Sequence, residues 1–127
     1  MEIKRLNKNF LHELNRYDFS QIKEFKIYLV GSTKFKEYFI KIETVLQILY
    51  NKLVSICSVD GLLNKNDFSI REWEKLQEIA LKKLHYQDAM LVIDINGYIG
   101  DQTREEIDYF KKEIKKPIFY LSNLKKL

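Results

Sequence analysis

With 127 residues, 46% hydrophobic and 31% charged, the chain has the balance of one globular domain rather than of a disordered segment. No apolar run reaches the ~18 residues of a membrane span, the N-terminus lacks an apolar signal core, and the single cysteine, Cys57, excludes an internal disulfide, all of which fits a reducing, cytoplasmic setting. The net charge of +4, from 22 basic and 18 acidic residues, is spread in short lysine pairs, the pattern of solvated helix faces rather than of a nucleic-acid patch, and it suits a small anionic ligand such as a nucleotide equally well.

Residues 1–24 are polar, with apolar beads at Ile3, Leu6, Phe10, Leu14 and Tyr17. Spacings of three and four predict an amphipathic helical extension, free to pack on the domain or on another subunit. His12 within it reads as a surface residue. Residues 25–127 form the domain proper. Lys26–Val30 reads as a first strand, followed at once by Gly31-Ser32-Thr33. Phe35, Phe39, Ile42, Leu46 and Leu49 then recur at helical spacing. Leu53–Val59 reads as a second strand, with Cys57 packed rather than reactive. A polar loop, Asp60–Ser69, could lie over a site. Ser69 and Glu72 form a capping box ahead of a second helix, whose apolar side is Trp73, Leu76, Ile79, Ala80, Leu81 and Leu84. Trp73 reads as a core or rim anchor before a stacking platform. His85 ends that helix, where its imidazolium suits the negative end of the dipole.

Met90–Ile95 is a short apolar run, predicted as a third strand covered on both faces. After a glycine-containing loop, a third helix is expected from Thr103 to Ile114, opened by a second capping box between Thr103 and Glu106. Pro117 opens a last strand, Ile118–Leu121, before a basic stub. The order β-α-β-α-β-α-β predicts an α/β fold: a flavodoxin-like three-layer sandwich with a parallel sheet of about four strands. Ligands in such sheets bind at the carboxyl ends of the strands, beside the switch point.

Gly31, Gly97 and Gly100 lie in the loops after strands one and three. In a 2-1-3-4 strand order those loops face one crevice. Gly97 and Gly100 allow close approach of backbone to ligand. The free N–H groups of the following helix suit an anion. Ser32 and Thr33 either cap the next helix or hold a phosphate or sugar. Glu106 by spacing alone is a capping partner.

At G-S-T-K-F (Gly31 to Phe35) and N-G-Y-I-G-D-Q-T-R-E-E-I (Asn96 to Ile107) the chain resembles the nucleoside 2-deoxyribosyltransferase-like family, closest to its small bacterial and phage members. The likeness spans Lys26 to Ser122. It implies a flavodoxin-like fold and chemistry on an N-glycosidic bond of a deoxynucleoside or its monophosphate, by transfer or hydrolysis. It places the nucleophile on Glu106, a sugar-binding acid near Asp101, and substrate contacts on Gly31, Ser32 and Thr33. Gly97, Gly100 and Thr103 complete the expected binding set. Tyr98 either orients the sugar or nucleophile or packs on the crevice wall. Arg104 either holds a phosphate or is exposed. The resemblance also implies a homo-oligomer, in which a neighbour completes the pocket. The chain departs from the pattern at Ala80, where the enzymes carry an acid eight residues before the aspartate that aligns with Asp88. The acid assisting the leaving base is then missing, or comes from Glu78, Asp67 or another subunit.

Carboxylate attack on an anomeric carbon through an oxocarbenium-like state is the chemistry of retaining glycosidases. The alternatives are a non-catalytic nucleotide-binding or sensing module on the same fold, motivated by Ala80, and an interaction protein using residues 1–24. No cofactor is expected. No metal site is expected either, since His12 and His85 lie far apart and Cys57 sits in a strand-like run.

Overall fold

A computed structural model of the chain describes residues 5–56 and 64–126. Four strands, β1 (Lys26–Gly31), β2 (Leu53–Ile56), β3 (Ala89–Ile93) and β4 (Ile118–Tyr120), form one sheet in the order β2-β1-β3-β4. Every pairing is parallel, with Ile27 opposite Val54 and Ala89, and Met90 opposite Ile118. This is the flavodoxin-like order that the alternation of elements predicts. Cys57 and the rest of the expected second strand, through Val59, lie outside the described residues, as does Gly61 of the following loop.

The two faces of the sheet separate by side-chain alternation. Ile27, Leu29, Val54, Ala89, Leu91 and Ile93 point to one face. There they meet Phe39, Ile42, Val45 and Leu46 of helix α2 (Lys36–Ile48). Tyr28, Val30, Met90 and Val92 point to the other face, against Leu84 of α3 (Ile70–Leu84) and Ile107 of α4 (Asp101–Tyr109). All five residues of β3 are buried, which is why that stretch of sequence is apolar without alternation. The switch of helices from one face to the other opens the crevice between β1 and β3.

The N-terminal segment differs from the single amphipathic helix that its spacing suggests. It folds as three short pieces: α1 (Lys8–Leu11) and one-turn 3-10 helices at Leu14–Arg16 and Phe19–Gln21. Asn7 accepts the Phe10 N–H, and Asp18 accepts the Ser20 N–H, so side chains restart the helix rather than continue it. Between the pieces the chain is extended at Tyr17, which bridges antiparallel to Lys125. The Asp18 N–H donates to the Leu124 carbonyl and the Lys126 N–H to the Arg16 carbonyl, each at 2.7 Å. Phe10, Leu14, Tyr17, Phe19 and Ile22 are all buried in the same cluster as α2. The segment is a built-in part of one core layer.

Two other boundaries move. β3 stops at Ile93, before Ile95, because the buried Asp94 turns its carboxylate to accept the Ser122 N–H and hydroxyl. The last helix is α-helical only to Tyr109 and closes as a π turn over Phe110–Ile114, with Lys115 left-handed at its end. No helix among the described residues is long and apolar enough to cross a membrane.

Phe110 is fully buried at the centre of the α3–α4 side. Truncation to alanine leaves a cavity there and is expected to cost about 3–5 kcal/mol. Urea unfolding measures the loss as a lower midpoint at unchanged slope.

Candidate active site

The cleft is assembled at the carboxyl ends of β1 and β3. β1 ends in Gly31, whose missing side chain is a packing requirement. A Cβ there would meet the Ile93 carbonyl oxygen at 3.0 Å and the Phe39 ring at 3.2 Å. Ser32 follows in extended conformation and caps the 3-10 turn Thr33–Phe35, its Oγ accepting the Lys34 N–H at 3.2 Å. The capping reading of Ser32 is thus realised, and the residue lines the cleft as well.

From β3 the chain turns tightly through Asn96 and Gly97, both left-handed, with φ of 54° and 76°. Tyr98 then swings its ring toward the β1 loop, edge-on to Phe35 at 6.0 Å between centroids. Gly100 is the N-cap of α4, and the Arg104 N–H donates to its carbonyl at 3.0 Å. The predicted capping box between Thr103 and Glu106 does not form. The helix begins two residues earlier, so Thr103 is already inside its first turn and buried. Glu106, in the second turn, is freed from backbone duty.

These loops and the two helices on that face enclose a cleft of about 320 Å³, within the range of small-ligand pockets. Gly31, Ser32, Thr33, Tyr98, Gly100, Asp101, Thr103 and Glu106 all line it. A wider depression continues between α3 and α4, shares the Glu106 wall and adds Leu81, Glu105 and Tyr109. Two expected site residues lie elsewhere. Gly97 lines a separate cavity of about 270 Å³ with Arg16, Tyr17 and Asp94, because its left-handed turn carries it under the β3 end. Arg104 is exposed on α4 and outside the cleft lining, which leaves it the exposed role.

The α3 wall consists of Trp73 and Gln77, one helical turn apart. Gln77 was not singled out from the sequence, and neither was Lys65, which lines the cleft from the loop before α3. The spacing of Gln77 from Trp73 is the one sequence signal that places it on that wall. Trp73 is half-buried and sits at the rim. Ala80, the position where a family acid is expected, faces the core and is buried. Glu78 is bound up with Lys75 and Lys82 on the outer surface, and Asp67 is exposed outside the cleft lining, so neither replaces it within this chain.

Glu106 is the unusual group. Its Oε2 is shielded from solvent and has no hydrogen-bond partner. Burial pushes its carboxyl up to about 7, with the neighbouring Glu105 carboxylate adding to the rise. A half-buried acid with one shielded, unpartnered oxygen in a cleft makes Glu106 the candidate for chemistry at this site. Among the described residues no cluster of three His, Cys, Asp or Glu side chains is placed to hold a metal ion. Comparison with known protein families, with curated proteins and with solved structures finds no match.

The Glu106 environment predicts a pH-dependent stability. As pH rises from 4.5 to about 7 the unfolded chain releases this proton while the folded chain holds it, so stability falls across that window. The loss is on the order of 3 kcal/mol and is complete above the upper limit. Glu106→Gln cannot ionise, so its stability relative to the parent is expected to rise between about pH 5 and pH 8 in paired urea titrations.

Proposed function

We propose that the chain cleaves an N-glycosidic bond of a deoxynucleoside or deoxynucleoside monophosphate, as a hydrolase or a deoxyribosyltransferase, with Glu106 as nucleophile. The supporting observation is the half-buried Glu106 carboxyl, its Oε2 shielded and unpartnered, in a cleft walled by the loops after β1 and β3. The resemblance in Gly31 to Phe35 and Asn96 to Ile107 points to the same residue.

In this reading the Glu106 carboxylate attacks the anomeric carbon as the bond to the base breaks, giving a glycosyl ester and the departing base. Water then attacks the ester to release the sugar, or a second base attacks to complete transfer. Asp101, Ser32 and Thr33 line the cleft and in this reading hold sugar hydroxyls, with Tyr98 at the side of the cleft. Gln77 offers the base an amide that can hydrogen-bond but cannot supply a proton. The proton for the leaving base then comes from Asp101, from solvent or from a second copy of the chain.

The amide on the α3 wall favours a second reading, a nucleotide-binding or sensing module that performs no turnover. The two separate in one experiment. Incubation with the deoxynucleosides and their monophosphates, with chromatography of free base, is expected to show release by the parent protein. Because the nucleophile must be ionised, the rate is expected to rise with pH through a midpoint near 7. Glu106→Gln is expected to lower it by roughly a thousandfold or more. Binding without any base release supports the module instead.

A further inference from the structure

We infer that Lys34 and Lys65 select a phosphorylated ligand, so that the cleft, resting on its reading as a nucleoside site, takes a nucleotide in preference to a free nucleoside. Lys65 lines the cleft beside the α3 wall, and its Nζ stands 5.1 Å from the centroid of the Trp73 ring. Lys34 is exposed next to the other wall, outside the lining itself, with its Nζ 3.8 Å from the centroid of the Tyr98 ring. Trp73 and Tyr98 are themselves cleft-lining side chains, so both ammonium groups are held at the opening by attraction to its aromatic walls. The Ser32 cap fixes the backbone from which Lys34 extends.

An aromatic ring orients a cation without neutralising it. The ion pairs among the described residues are Lys75–Glu78 and Lys82–Glu78, and neither rim lysine takes part in one. Two uncancelled positive charges therefore flank the opening, while the acids Asp101 and Glu106 lie in the lining. The charge separation matches a ligand with a neutral, hydroxyl-bearing body and an anionic end. A nucleoside leaves both lysines without a counter-charge. Inorganic phosphate meets the lysines but uses none of the Trp73 and Gln77 wall. A phosphate ester of a nucleoside satisfies both ends at once, by charge-assisted hydrogen bonds to the ammonium groups.

The test is titration calorimetry of the full chain with the four deoxynucleosides, their monophosphates and inorganic phosphate, on the parent, Lys34→Ala, Lys65→Ala and the double variant. Both lysines are exposed, and circular dichroism verifies that the variants fold. A monophosphate is expected to bind at least about tenfold tighter than its nucleoside. The gap is expected to narrow with added salt and to shrink toward parity in the double variant, with nucleoside affinity unchanged. Equal affinities in the parent protein, a gap that survives the double variant, phosphate binding as tightly as the nucleotide, or no binding at all would each overturn the inference. Base release is followed separately. Preferential nucleotide binding without release leaves the phosphate selection standing and removes the enzymatic proposal. Cleavage of nucleosides as fast as of monophosphates does the reverse.

Discussion

The close approach of β1 and β3 at the sheet's carboxyl end governs the rest of the molecule. Gly31 lies opposite Ile93 in the register of these two strands, and a Cβ there would press within 3.0 Å of the Ile93 carbonyl oxygen, so the neighbours would have to give way by a few tenths of an ångström. Both strands are buried on both faces, so neither can shift sideways to relieve a clash. Their separation fixes where the two following loops emerge. It also fixes the width of the opening in which Ser32, Tyr98 and Glu106 meet. A mutation that widened the pair would disturb the cleft before it disturbed the core.

The cleft itself sets stability against chemistry. An apolar side chain at position 106 would suit the α4 packing face better than a carboxyl with no partner. The acid is carried on α4 next to Ile107, on the side of the sheet that packs around Phe110. The same logic applies to the rim, where lysines rest on rings instead of carboxylates and so keep their charge available.

Much of this architecture is legible in the sequence. The alternation of apolar strands with helical spacing gives the parallel sheet, and Ser69 with Glu72 gives the start of α3, where both capping hydrogen bonds form. Less of the site is legible. Thr103 and Glu106 have capping-box spacing, yet the helix starts at Asp101 behind Gly100, which caps through backbone geometry and leaves no side-chain signature. Gln77 was hidden because Trp73, its neighbour on the cleft, was counted with the apolar stripe of Leu76, Ala80 and Leu84. How α3 is rotated on the sheet decides which of these meets the core, and local periodicity does not set that rotation. Gly97 was grouped with Gly100 by proximity in the chain, while its positive φ sends it to another cavity. The N-terminal beads were correct as apolar contacts and misleading as a helix, because extended residues between short turns bury them equally well.

The pairing of Tyr17 and Asp18 with Leu124 and Lys125 makes the described part of the chain a ring closed by a non-covalent clasp. Closing so long a circuit has an entropic cost that the few bonds of the clasp offset only once the sheet between them exists. Opening the clasp would break few bonds, yet it would uncover Tyr17 and Leu124, which are buried in the same cluster as α2.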